Sequence, residues 1–126
     1  MDLIEMLLGC GSSITERPTK KVEITRLSEL IGKPFVVKIH ALTVKELDDA
    51  PKNEFKVHVI LAATDSPDFG DKRLAEFFKP DGRSVKLTPA EVVSMLLLPG
   101  EIVSLYNQIT DLSGFGEDSI RELSKN

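Results

Sequence analysis

The chain of 126 residues has one cysteine, two histidines, one tyrosine and no tryptophan. A single cysteine excludes an internal disulfide and suits a reducing compartment. His40 and His58 sit in β-rich runs with apolar neighbours, where a partly buried or solvent-facing imidazole is the simpler reading than a ligand. Cys10 has no histidine or cysteine near it at metal-binding spacing. Positive charge is also scarce. With 16 Lys and Arg against 20 Asp and Glu, the net charge is -4, the wrong sign for a surface that grips duplex phosphates. No apolar run approaches the length of a membrane-spanning helix. These absences lead to the expectation of a cytoplasmic protein with no nucleic acid partner, no membrane partner and no cofactor. "LLGC" at Leu7 to Cys10 has the outline of a bacterial lipidation site. The segment before it, however, carries Asp2 and Glu5, no Lys or Arg, and too short an apolar run for a signal peptide.

What is present fits one modest domain. Charge is unevenly spread: Glu91, Glu101, Asp111, Glu117, Asp118 and Glu122 face only Arg121 and Lys125 after residue 87. The earlier residues balance, so the net charge lies in the C-terminal third. "DLIEMLL" (2–8) predicts a short apolar helix, and "GCGSSITERPTK" a flexible linker. Residues 1–19 are thus read as a short helix and tail, and 20–126 as the folded domain. A tethered apolar helix of this kind either docks on a neighbouring subunit or frays back onto its own core.

The domain reads as α+β: mostly helical, with an N-terminal β-hairpin packed on four or five helices. "KVEITRL" (21–27) and "PFVVKIHAL" (34–42) are the hairpin strands, with Gly32 in the turn. Thr43 and Glu46 form a capping box that starts a helix. Residues 54–63 fit strand or helix equally by pattern. A helix is expected from about Asp71 to Phe78, then a turn at Pro80-Asp81-Gly82. "TPAE" (88–91) caps a further helix ending near Leu98. Pro99 begins the next, in which Ile102, Leu105, Tyr106, Ile109 and Leu112 recur at helical spacing. Gly114 suits a left-handed cap and Phe115 the contact after it. Asp118 to Ser124 is read as a last short helix.

The chemistry on offer is thin. Ser113-Gly-Phe-Gly is better explained as a helix cap than as a nucleophile elbow. The Asp65, Asp68 and Asp71 series lacks calcium-loop spacing and suits turns and caps. "TPAEVVSMLLLPGEIVSLYNQI" has the outline of a helix-turn-helix, but its second helix holds no Lys or Arg from Gly100 to Asp111. The residues therefore point away from an enzyme. What stands out is apolar surface: three consecutive leucines, Leu96 to Leu98, point around more than half of a helix and exceed what one face needs.

Three ordered blocks carry a resemblance. "LLLPGEIVSLYNQITDLSGF" (96–115), "SPDFGDKRLAEFF" (66–78) and "VEITRLSELIGKPFVVKIHALTVKE" (22–46) together resemble the XkdN-like tail assembly chaperones of long-tailed bacteriophages and prophages, over about residues 20 to 119. The resemblance implies a non-enzymatic protein that binds the tape measure protein and keeps it soluble until the tail tube polymerises. It implies self-association into a homo-oligomer, and admits the tail tube protein or a frameshifted longer form as further partners. The alternative is a structural tail component of the virion. Residues expected to make protein contacts are Val36, Ile39, Met95, Leu97, Leu98, Tyr106 and Phe115.

Overall fold

The computed structural model describes residues 2–80, 82 and 84–123. In chain order the elements are α1 (Leu3–Leu8), a 3-10 turn (Gly11–Ile14), β1 (Thr19–Glu23), α2 (Thr25–Ile31), β2 (Val36–His40), α3 (Val44–Asp49), α4 (Phe55–Ala63), β3 (Thr64–Ser66), α5 (Lys72–Phe78), α6 (Pro89–Leu96), α7 (Pro99–Thr110) and a π-turn (Asp111–Phe115). The architecture is α+β and mostly helical, as expected. The sheet is antiparallel in the order β1-β2-β3.

Thr19 pairs with His40 and Glu23 with Val36, so the two N-terminal strands do lie side by side. The connection between them differs from a tight hairpin. The strand expected over 21–27 stops at Glu23, and Thr25–Ile31 turns into α2. Alternation of Val22 and Ile24 imitates a longer strand, but Leu27 belongs to a helical face and is buried there. Gly32 closes α2 in the left-handed region at φ 77°, its N–H donating to the Ser28 carbonyl. A Cβ at that angle would be strained. The sheet also gains a strand that pattern did not predict, β3, whose Thr64 pairs with Ile39.

Residues 54–63, ambiguous by pattern, are helical. Val57, Val59, Ile60 and Ala63 are all buried, so α4 has apolar contacts on several sides and shows no clean amphipathic period. It packs with Val37 and Ile39 of β2, Val93 of α6 and Ile109 of α7 in one core cluster. Helix α5 starts one residue later than expected, with Asp71 as its cap, accepting from the Arg73 N–H at 2.9 Å. The turn expected at Pro80-Asp81-Gly82 includes Asp81, which lies outside the described residues. Six α-helices, α2 to α7, follow β1 among the described residues, against the four or five expected in the domain, and α1 lies in the N-terminal tail as expected. The helix expected over Asp118 to Ser124 does not form across 118–123; Ser124 lies outside the described residues. Ile120 and Leu123 there are 89% and 81% exposed, and a short helix with nothing to bury is marginal in water.

Candidate partner-binding surface

The surface is organised by the corner between α6 and α7, whose axes bend by 116°. Thr88 and Glu91 form a reciprocal capping box: the Glu91 N–H donates to Thr88 Oγ1 at 3.2 Å, and the Thr88 N–H donates to Glu91 Oε1 at 3.0 Å. Helix α6 ends at Leu96, because the Pro99 ring forces the residue before it out of the helical region. Leu97 and Leu98 are accordingly extended, with ψ 142° and 154°. An extended pair sends successive side chains to opposite sides. Leu97 enters the core at 3% exposed, and Leu98 stands 51% exposed.

One charged pair braces this corner. Arg26 of α2 donates from Nε and an Nη to the two oxygens of Glu101, at 3.0 and 2.9 Å, and to the Leu96 carbonyl at 2.8 Å. Glu101 Oε1 also accepts from the Leu98 N–H at 2.7 Å. Arg26 and then the Leu98 N–H hold the Glu101 carboxyl below its ordinary value. One end of α6 and the first turn of α7 are thereby tied to α2.

Two grooves flank the corner and a third lies further along α7. The first, about 570 Å³, is lined by Val22, Ile24, Leu98, Glu101 and Leu105 among others. The second, about 610 Å³, runs between α2, α5 and Leu96, with Ile31, Phe35, Leu74 and Phe77 on its walls. The third, about 440 Å³, lies against the far end of α7, with Val44, Phe55, Tyr106 and Phe115. Phe55 and Tyr106 stack edge to face with centroids 6.2 Å apart.

Among the residues expected to make contacts, Val36, Met95, Leu98 and Phe115 are exposed, and Tyr106 is half-buried beside Phe115. Ile39 and Leu97 are core residues, which places them beneath the surface. Phe115 follows Gly114 (φ 97°) as expected, but its ring lines a groove and is largely exposed. Sequence reading did not single out Ile31 or Val103, both exposed. Each is an apolar residue on the outward side of its helix, a signal visible only once the inward side is known.

The histidines take modest places. His40 and His58 are half-buried, and His40 Nδ1 lies 2.7 Å from Asp65 Oδ1, joining β2 to β3. Among the described residues no group of three or more His, Cys, Asp or Glu could hold a metal ion. No single helix among them is long and apolar enough to cross a membrane.

A crystal structure of the protein YqbN is similar to this chain, with a TM-score of 0.59 over 80% of this chain and 88% of YqbN, at 22% identity. At that identity the likeness speaks for the fold. No match was found among curated proteins. The family model described as the phage XkdN-like tail assembly chaperone protein matches residues 45–125. The match takes in α4 to α7 and the corner between α6 and α7, and begins after β1, α2 and β2, of which β1 and α2 supply part of the groove walls. The chain belongs to the XkdN-like tail assembly chaperone family of phages.

Proposed function

We propose that this protein binds apolar segments of the tape measure protein and keeps them soluble until the tail tube assembles around them. The observation that carries this reading is the open apolar surface of the α6–α7 corner. Met95, Leu98 and Val103 project outward there, and Phe115 lines a further shallow groove at the far end of α7. Such a surface suits weak, repeated contact with many similar segments rather than one deep pocket. The unbranched Met95 adapts to varied apolar partners. Acidic residues concentrated in the same third of the chain keep the surface hydrated when no client is bound. Such a role requires no catalysis: it consists of covering apolar client surface and releasing it when tube subunits compete.

Co-expression with the tape measure protein, followed by affinity purification of this chain, tests the reading. The tape measure protein co-purifies if it is correct. Recovery of this chain alone, or as a component of purified phage particles, contradicts it and favours a structural tail role.

A further inference from the structure

Strand β1 lies at the edge of the sheet, with β2 on one side and no strand on the other among the described residues. The phase of its ladder shows which backbone groups are left over. The Ile24 N–H donates to the Phe35 carbonyl at 3.1 Å, and the Ala41 N–H donates to the Pro18 carbonyl at 2.9 Å. Pro18 and Ile24 therefore turn their backbone groups toward β2, and in an antiparallel ladder every second residue does so. Lys20 and Val22 share that phase. Thr19, Lys21 and Glu23 turn theirs outward, where they meet no hydrogen-bond partner among the described residues. Such an open row is a template for a further strand.

The side chains along this edge match a second copy of themselves in one register. When two identical strands pair antiparallel about a two-fold axis, one residue lies opposite its own copy. Inside β1 the residues that can take that place are Lys20, Lys21 and Val22. An axis at Lys20 or Lys21 sets a lysine against its own copy, which is destabilising. An axis at Val22 sets valine on valine, with Lys21 of each copy across from Glu23 of the other. The same register brings the outward backbone groups of Lys21 in front of those of Glu23. The remaining charges are set back. Lys20 donates to Gln108 Oε1, Arg26 is paired with Glu101, and Lys38 lies one strand further in, opposite Lys21. With the axis at Val22 the two copies of Lys20 stand about 13 Å apart along the seam, and Lys38 about 10 Å from the second copy's strand. Both lie beyond the roughly 8 Å screening length at physiological ionic strength.

We infer that two copies of this chain join β1 to β1 about a two-fold axis at Val22, making one continuous sheet. Val22 is half-buried and, with Ile24, Leu98 and Leu105, lines the groove of about 570 Å³ beside this edge, which receives the second copy's valine. The chain's own arm does not fit there. Residues 2–16 hold no Lys or Arg to face Glu23. Much of their backbone is taken up in α1 and the 3-10 turn, and Arg17 is tied to Glu46 of α3 at 2.8 Å. With Pro18 still bonded to Ala41, the arm runs on from β1 toward α3 and not back along the open edge.

A charge swap tests the pairing, with mass read by light scattering over a dilution series. The native chain should be a dimer. Lys21→Glu sets carboxylate against carboxylate, and Glu23→Lys sets ammonium against ammonium. Both positions are exposed, so the fold is kept, and each variant alone should dissociate at about tenfold higher concentration. Mixing the two variants, or combining them in one chain, restores opposite charges across the seam and should restore the dimer. A monomeric native chain overturns the inference, as do single variants that dimerise undiminished or a swap that fails to recover. Dimers that appear only after residues 1–16 are removed mean that the arm covers the edge, and overturn it equally. No client enters the measurement, so the chaperone reading stands or falls separately.

Discussion

Arg26 and Glu101, 75 residues apart in sequence, form a two-point ion pair with Nε–Oε2 at 3.0 Å and Nη–Oε1 at 2.9 Å. The pair links the helix inserted between the first two strands to the first turn of α7. Because Glu101 also accepts from the Leu98 N–H, one carboxylate sets both the start of α7 and the direction in which Leu98 leaves the surface. Glu101→Ala should lower stability by about 1–2 kcal/mol, combining a lost cap with a lost charge-assisted contact. Chemical denaturation measures this. An unchanged midpoint would remove the pair from the account of the corner.

The same carboxylate sets a pH dependence. Glu101 lies below its ordinary value of 4.5, held there first by Arg26. Glu46 is lowered mainly by the Thr43 N–H, and Asp71 falls to about 2 through Arg73. A carboxylate depressed in the folded state stabilises fully above its unfolded value, and that contribution is lost as pH falls through the folded one. Stability should therefore be level near neutral pH and decline below about 4.5. In Glu101→Gln the acid decline should be shallower, measured by thermal melts across pH.

Leu97 and Leu98 should separate folding from function. Leu97→Ala removes core side-chain volume and should cost about 2–5 kcal/mol. Leu98→Asp changes an exposed position and should alter stability by no more than about 0.5 kcal/mol. Denaturant titration of the two variants gives the comparison directly.

Glu54 is the non-glycine residue with positive φ among those described, at φ 56° just before α4. The left-handed region costs such a residue roughly 1–2 kcal/mol. The greater freedom of glycine in the unfolded chain offsets about 0.4–1 kcal/mol of that. Glu54→Gly should stabilise by up to about 1.5 kcal/mol, read as a higher denaturation midpoint.

Local signals in the sequence were legible wherever a few adjacent residues decide the outcome. The capping boxes at Thr43 and Thr88, the start of α7 at Pro99 and the left-handed Gly114 are all of this kind. Features decided by distant contacts were not. The three-residue β3 exists because β2 offers it an edge, and α4 is surrounded on so many sides that its pattern lost its period. In the contact surface, Leu96, Leu97 and Leu98 are identical letters. Only the break before Pro99 and the core around Val93 and Ile109 determine that Leu97 turns in and Leu98 out. Ile39 was drawn into the candidate surface for the same reason: sequence shows that it is apolar, and α4 supplies the partners that bury it.

The most direct measurement of the central claim is the soluble fraction of the tape measure protein when co-expressed with this chain, with Leu98→Asp, or with no partner. The account predicts a high soluble fraction with the native chain and a return to the partnerless level with Leu98→Asp, while that variant itself remains folded. Equal solubility in all three, or full activity of Leu98→Asp, would contradict a chaperone that works through the α6–α7 corner.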